Sequence, residues 1–265
     1  MRPSEDPGGP PEARGAAEAI AAEVRGVAPG EVPGRLCRLA VRLLPVADAG
    51  ASLRGDGVPV PLCAGGDRAS YLAEIQATLG DGPCVSAAEA GAVVLARDLT
   101  SGADAGRWPV FAQQATAVGV RAVYALPLGS GAVCLGTLDL YRDTPGGLTG
   151  PQLRTARLVA GVMTRALMEL PHGGDAWLDE LAGGHDEVYR AVGMIMAQLG
   201  VGADEALARL RADAFAHGRS AYAVARDVLA HRGASTPTAE PDRRPRPLTP
   251  SADSGPAADA SPGPP

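Results

Sequence analysis

Lysine is absent from this sequence: all 24 basic side chains are arginine. With Ala, Gly and Pro also abundant, that preference fits the codon bias of a high-GC genome, so arginine content alone announces no partner. Aromatic residues are scarce, 3% against a hydrophobic fraction of 46%, so the core has to be built from Ala, Val and Leu. No run of 18 apolar residues occurs, and the opening MRPSEDPGGPPE holds no apolar signal core. Neither a membrane-spanning helix nor a signal peptide is expected, and the chain reads as soluble and cytoplasmic with no membrane partner. The four cysteines, Cys37, Cys63, Cys84 and Cys134, form no CxxC pair and have no histidine at zinc-finger spacing. They are expected to be free thiols, with no metal and no cofactor. P-loop, GxSxG, HExxH and HD-type metal patterns are all missing, so no enzyme is expected.

What is present suits one medium domain, one small domain and two tails, within 265 residues. The net charge of −6 excludes a whole-chain polycation, so any nucleic-acid site has to be local. Residues 1–11 are rich in Pro, Gly and acid and read as disordered. An Ala-rich helix is expected over 12–27, broken by Pro29, Gly30, Pro33 and Gly34, and a second over 36–44, stopped by Pro45. Strands are expected over 49–53 and 58–62 around the turn Arg54-Gly55-Asp56-Gly57, and over 92–96. Helices are expected over 70–79, from the turn Gly80–Cys84 onward, and over 108–116. The runs 120–128 and 133–141, separated by Gly129-Ser130-Gly131, read as an antiparallel hairpin. Thr149 with Pro151 and Gln152 predicts a capped helix to about Met168, with Leu153, Leu158, Val162 and Leu167 along it. Cys84 is expected to pack at a helix start, where the helix N-terminus would lower its pKa. Trp108 is expected to anchor the core.

From 175 to 232 the pattern is helical throughout. Val188, Ala191, Val192, Ile195, Met196 and Leu199 form one stripe, closed by Gly200. A second helix is expected over 203–215 with Leu207, Leu210, Ala214 and Phe215 inward, ended by His217-Gly218. Ser220 caps a third, carrying Ala221, Val224, Ala225 and Val228. Residues 233–265 hold nine prolines and read as a disordered tail.

Two segments carry family resemblances. Gly80-Asp81-Gly82-Pro83-Cys84, Val94–Leu99, Arg107–Phe111, Ala125–Leu128 and Leu135–Tyr141 together resemble a GAF domain of the type fused to ANTAR domains. The segments Glu187–Met196, Leu199-Gly200-Val201, Asp204–Arg211, Gly218-Arg219-Ser220 and Val224–Val228 resemble the three helices of an ANTAR domain. The first resemblance implies an α/β fold, an antiparallel sheet flanked by helices, that senses a small molecule or a protein. The second implies an all-α three-helix bundle that binds stem-loop RNA of a nascent transcript, acts in transcription antitermination and works as a homodimer. The organisation is then a disordered segment 1–11, a GAF-like domain 12–170, a linker 171–177, an ANTAR bundle 178–232 and a tail 233–265. The helix 149–168 and the Pro171–Gly174 hinge are the expected route of coupling.

Charge within the helical region is uneven. Residues 206–232 carry five arginines against two acids, whereas 175–205 carry seven acids and one arginine. The candidate RNA-binding residues are Arg190, Gly193, Arg209, Arg211, Arg219 and Arg226, since arginine can pair bidentately with phosphate and stack on unpaired bases. Tyr189 and Tyr222 are candidates for base stacking or for packing. Most of the family carries lysine where this chain has Val192. A second reading therefore stays open, a signalling adaptor whose ANTAR domain binds protein and no longer RNA, and behind it a GAF-based enzyme.

Overall fold

The computed structural model describes residues 11–54, 59–130, 133–169 and 175–233. Five strands form one antiparallel sheet in the order β2-β1-β5-β4-β3, with β1 Asp48–Leu53, β2 Val60–Ala64, β3 Val94–Ala96, β4 Ala122–Ser130 and β5 Val133–Arg142. Its centre is the hairpin read from the sequence, paired Tyr124 to Leu140, Ala125 to Asp139 and Leu126 to Leu138. Alternate residues of a strand point to opposite faces. Tyr124, Leu126, Leu138 and Leu140 accordingly enter one core, and Val123, Ala125 and Tyr141 the other. Burial on both faces is why these strands read as nearly continuous apolar runs.

The first core is closed by α1 Pro11–Val24, α2 Val32–Leu43 and α7 Gly150–Met168. The second is closed by α3 Asp67–Leu79, α4 Pro83–Ala90, α5 Gly102–Arg107 and α6 Pro109–Ala117, with Trp108, Tyr141 and Phe111 as its largest side chains. This is the antiparallel sheet between helical layers that the GAF-like resemblance implied. A third core joins α8 Asp175–Leu199, α9 Ala203–Ala216 and α10 Ala221–Gly233 into the expected three-helix unit. No single helix among the described residues is long and apolar enough to cross a membrane.

Several expectations need correction. Pro11 already starts α1, so the segment 1–11 is not wholly outside regular structure, and residues 1–10 lie outside the described residues. Pro33 and Gly34 do not separate the first two helices; they sit in the first turn of α2, where a missing amide hydrogen costs nothing. The second strand runs to Ala64, two residues beyond the end read, and its register against β1 shifts between Ala51 and Ser52; residues 55–58, with most of the expected turn, lie outside the described residues. α5 was not foreseen, since its sequence GADAGR carries no apolar period. Along α7 the buried face is Ala156, Val159, Ala160 and Met163, and Leu158 is exposed. Leu199 and Phe215, expected inward, are 52% and 55% exposed. α8 begins at Asp175, inside the expected linker, and α10 includes Gly233. The Pro171–Gly174 hinge and residues 234–265 lie outside the described residues.

Candidate functional site

The helical unit is held by small side chains. Val188, Ala191, Ala206, Leu210, Ala214, Val224 and Ala225 fill its centre, and Val192 joins them at 7% exposure. Gly200 adopts φ +65° and ends α8 in the left-handed conformation that glycine favours. On the outer face of α8, Arg190 and Gly193 are both exposed, one turn apart, and a Cβ on Gly193 would meet nothing within 4 Å. No described side chain packs against this glycine. Arg209 is exposed on α9 and pairs with Glu205, its Nη2 donating at 2.6 Å. Arg219 precedes α10, pairs with Asp227 at 2.7 Å and donates to the Ala223 carbonyl at 3.1 Å.

Arg211 lies elsewhere. It is half-buried, and its guanidinium rests on Gly80 at the end of α3, leaving no room there for a Cβ. Burial pushes its pKa down, although an arginine remains charged. Gly80 itself sits at φ +64°, a left-handed backbone that favours glycine. Close by, the Thr78 hydroxyl on α3 accepts a hydrogen bond from the Ala221 amide at 3.1 Å, at the first residue of α10. The Ser220 hydroxyl accepts from the Ala223 amide, as the sequence predicted for the cap. Two hydroxyls, one from each unit, thus satisfy two otherwise unpaired amides of one helix start.

Clefts flank this seam, among them one of about 170 Å³ that Thr78, Arg219 and Ser220 line. A second, of about 320 Å³, lies among β2, α3 and α10 and takes in Tyr222 and Arg226. A third, of about 250 Å³, is lined by Ser52, Arg54, Cys84, Glu89, Thr137 and Arg211. Beside Thr137 the sheet is unexpectedly polar. Asp139 is buried with Oδ1 unpartnered; burial raises its pKa to about 7, against a Thr137 hydrogen bond that lowers it. Tyr141, two residues on, buries an unpartnered hydroxyl. Burial also pushes the Cys84 thiol up, so desolvation outweighs the helix N-terminus that was expected to lower it. Among the described residues no group of three or more His, Cys, Asp or Glu side chains could hold a metal ion.

With the geometry in place, the C-terminal unit can be compared with known families. Residues 180–229 match the family model of the ANTAR domain. The match runs from α8 into α10 and contains every candidate RNA-binding residue. No curated protein matches the chain. Among solved structures, the chain is similar to the GAF domain of a phosphoenolpyruvate-protein phosphotransferase from Coxiella burnetii, at 11% identity over 59% of this chain and 90% of that one, with a TM-score of 0.45. The equivalent domain from Acinetobacter matches at 8% identity over 59% and 90%, TM-score 0.44. A free methionine-R-sulfoxide reductase from Neisseria meningitidis, solved with its substrate, matches at 14% identity over 58% and 86%, TM-score 0.45.

Within the ANTAR segment, then, Arg190 and Gly193 share an exposed face, and Arg209 and Arg219 are exposed on α9 and at the start of α10. Arg211 turns to the seam, and Arg226 lines a cleft beside the half-buried Tyr222. Sequence reasoning missed Thr78, Asp139 and the seam itself. The signal for Asp139 was present: Thr137, Asp139 and Tyr141 put polar groups at every second position of an apolar strand.

Proposed function

We propose that this protein is a cytoplasmic, signal-responsive RNA-binding regulator of transcription antitermination. A ligand or partner at the α/β unit controls the binding of stem-loop RNA by the ANTAR segment, which acts as a homodimer. The ANTAR match over 180–229 carries this reading. Exposed Arg190, Arg209 and Arg219 support it chemically, since guanidinium groups outside the core can meet phosphate, Arg209 and Arg219 by exchanging Glu205 and Asp227 for it. The packing between the units supports a route of control through α3 and β2 beside the one expected along the helix 149–168. α7 packs on α1, α2 and β4, whereas the ANTAR helices rest on α3 and β2. A ligand entering the cleft under Arg211 competes directly with the contact between α9 and Gly80.

A mobility-shift titration of the full chain with a paired stem-loop RNA tests the reading. Binding is expected at low salt, with a steep salt dependence, weakened by Arg190→Ala, Arg209→Ala and Arg219→Ala. No binding at low salt would sink it and leave the adaptor reading. One observation favours that second reading: Val192 is buried in the bundle, so the position where the family carries lysine offers no cation to a ligand.

A further inference from the structure

Two cysteines that are 26 positions apart in sequence meet in the fold. Cys37 projects from α2 into the first core and is fully buried, and Cys63 sits half-buried on β2. Their Sγ atoms are 3.2 Å apart, in hydrogen-bonding contact. A disulfide brings sulfurs to about 2 Å, so closing the bond needs about 1 Å of approach. β2 is suited to supply it: it is the outer strand of the sheet, bonded only to β1, across a register that already shifts beside it. Nothing in the RNA-binding reading uses this pair.

We infer that Cys37 and Cys63 form a reversible dithiol–disulfide site oxidised by small hydroperoxides, with Cys63 as the attacking thiol and Cys37 as the resolving one. The Cys63 thiolate attacks the outer peroxide oxygen. An S–O bond forms, the O–O bond breaks, and the departing alkoxide takes a proton to leave as an alcohol, or as water from hydrogen peroxide. The Cys37 sulfur then attacks the Cys63 sulfenic acid. The S–S bond forms, the S–O bond breaks, and water leaves with the Cys37 proton. The dithiol loses two electrons and the peroxide gains them.

The assignment of roles follows from the surroundings. The hydrogen bond from Cys37 lowers the Cys63 pKa, and the nearby Arg38 guanidinium adds to the effect. The same bond, together with burial and the Asp139 and Asp48 carboxyls, holds Cys37 protonated. Thiolate character and access select the first sulfur to react. The other two cysteines are natural controls. Cys84 is fully buried with its thiol pushed up, and the Cys134 thiol donates to the Gly136 carbonyl at 3.2 Å.

The test is peroxide titration of the reduced, full-length protein, alkylation of the remaining thiols and peptide mass spectrometry. The four free thiols should fall to two, with a single intramolecular Cys37–Cys63 crosslink that a dithiol reductant reverses. In Cys37→Ser, Cys63 should accumulate as a sulfenic acid trapped by dimedone. In Cys63→Ser, Cys37 should stay unmodified at the same dose. Circular dichroism checks that both variants are folded, and Cys→Ala versions replace any that are not. Retention of all four thiols at a dose that oxidises the denatured chain overturns the proposal. So does a crosslink through Cys84 or Cys134, or one between two chains.

Discussion

Among the described residues Asp139 has no cation to offset its burial, which makes stability depend on pH in the direction opposite to most carboxylates. Its folded pKa is about 7, against about 3.9 for an unfolded aspartate. Between those values the native state holds a proton that the unfolded chain has released, so stability falls as pH rises. The contribution is fully present below about pH 4 and lost above about pH 7. Its upper limit is ~4 kcal/mol, since one pKa unit is about 1.4 kcal/mol. Asp139→Asn keeps the shape and removes the titration. Relative to the parent it should gain stability between about pH 5 and about pH 8, measured by urea unfolding at both. A difference between the two proteins that does not change with pH would contradict the burial argument. The buried charge was visible in the sequence as Leu138-Asp139-Leu140. The lack of a cation beside it was not, because that depends on which distant elements, α4 among them, pack against β5.

Helix starts separate what is legible locally from what is not. Thr149 was readable as a cap because its partner is three residues away, and the full capping box forms: Thr149 Oγ1 accepts from the Gln152 amide and Gln152 Oε1 from the Thr149 amide. α3 and α4 have glycine at the cap position and no local side-chain bond. Their caps come from elsewhere. Asp48 on β1 accepts from the Ala69 amide at 3.0 Å, and Gln76 on α3 accepts from the Cys84 amide at 2.8 Å. A carboxylate at the positive end of a helix is favourable, and both acceptors are buried, so neither amide can turn to water once its partner is lost. Thr149→Ala on the exposed cap should cost about 1 kcal/mol. Asp48→Ala should cost more, about 1–3 kcal/mol, because it leaves buried amides unsatisfied. Equal losses for the two in denaturant titrations would show that the distant cap adds nothing beyond a local one. α3 is thus the element that ties the molecule together, with Gln76 serving α4 and Thr78 serving α10. The sequence shows only two polar residues within a helix, and no spacing rule connects them to helices 8 and 143 positions away.

At the scale of the whole molecule, the two units were legible separately because each has its own apolar period and its own core. Their seam was not. It consists of a few contacts between residues far apart in sequence: Thr78 to Ala221, Ala77 packed into the helical core, and Arg211 over Gly80. Arg211 was readable as a cation in a basic stretch, and only the fold turns it from solvent to α3. Its contact with Gly80 can be measured as a coupling. Gly80→Ala alone places a methyl group where the guanidinium lies and also strains a left-handed backbone, which costs about 1–2 kcal/mol. In an Arg211→Ala background the first cost disappears and only the second remains. The double-mutant cycle should therefore return a coupling of about 0.5–3 kcal/mol, the range for residues in direct contact. Amide exchange in α9 should also quicken in Gly80→Ala but show little further change when the same substitution is added to Arg211→Ala. Additivity within about 0.5 kcal/mol would mean that the two positions act independently. The ANTAR helices would then be held on the α/β unit by Thr78 and Ala77 without the arginine, and a ligand beneath Arg211 would have no lever on them.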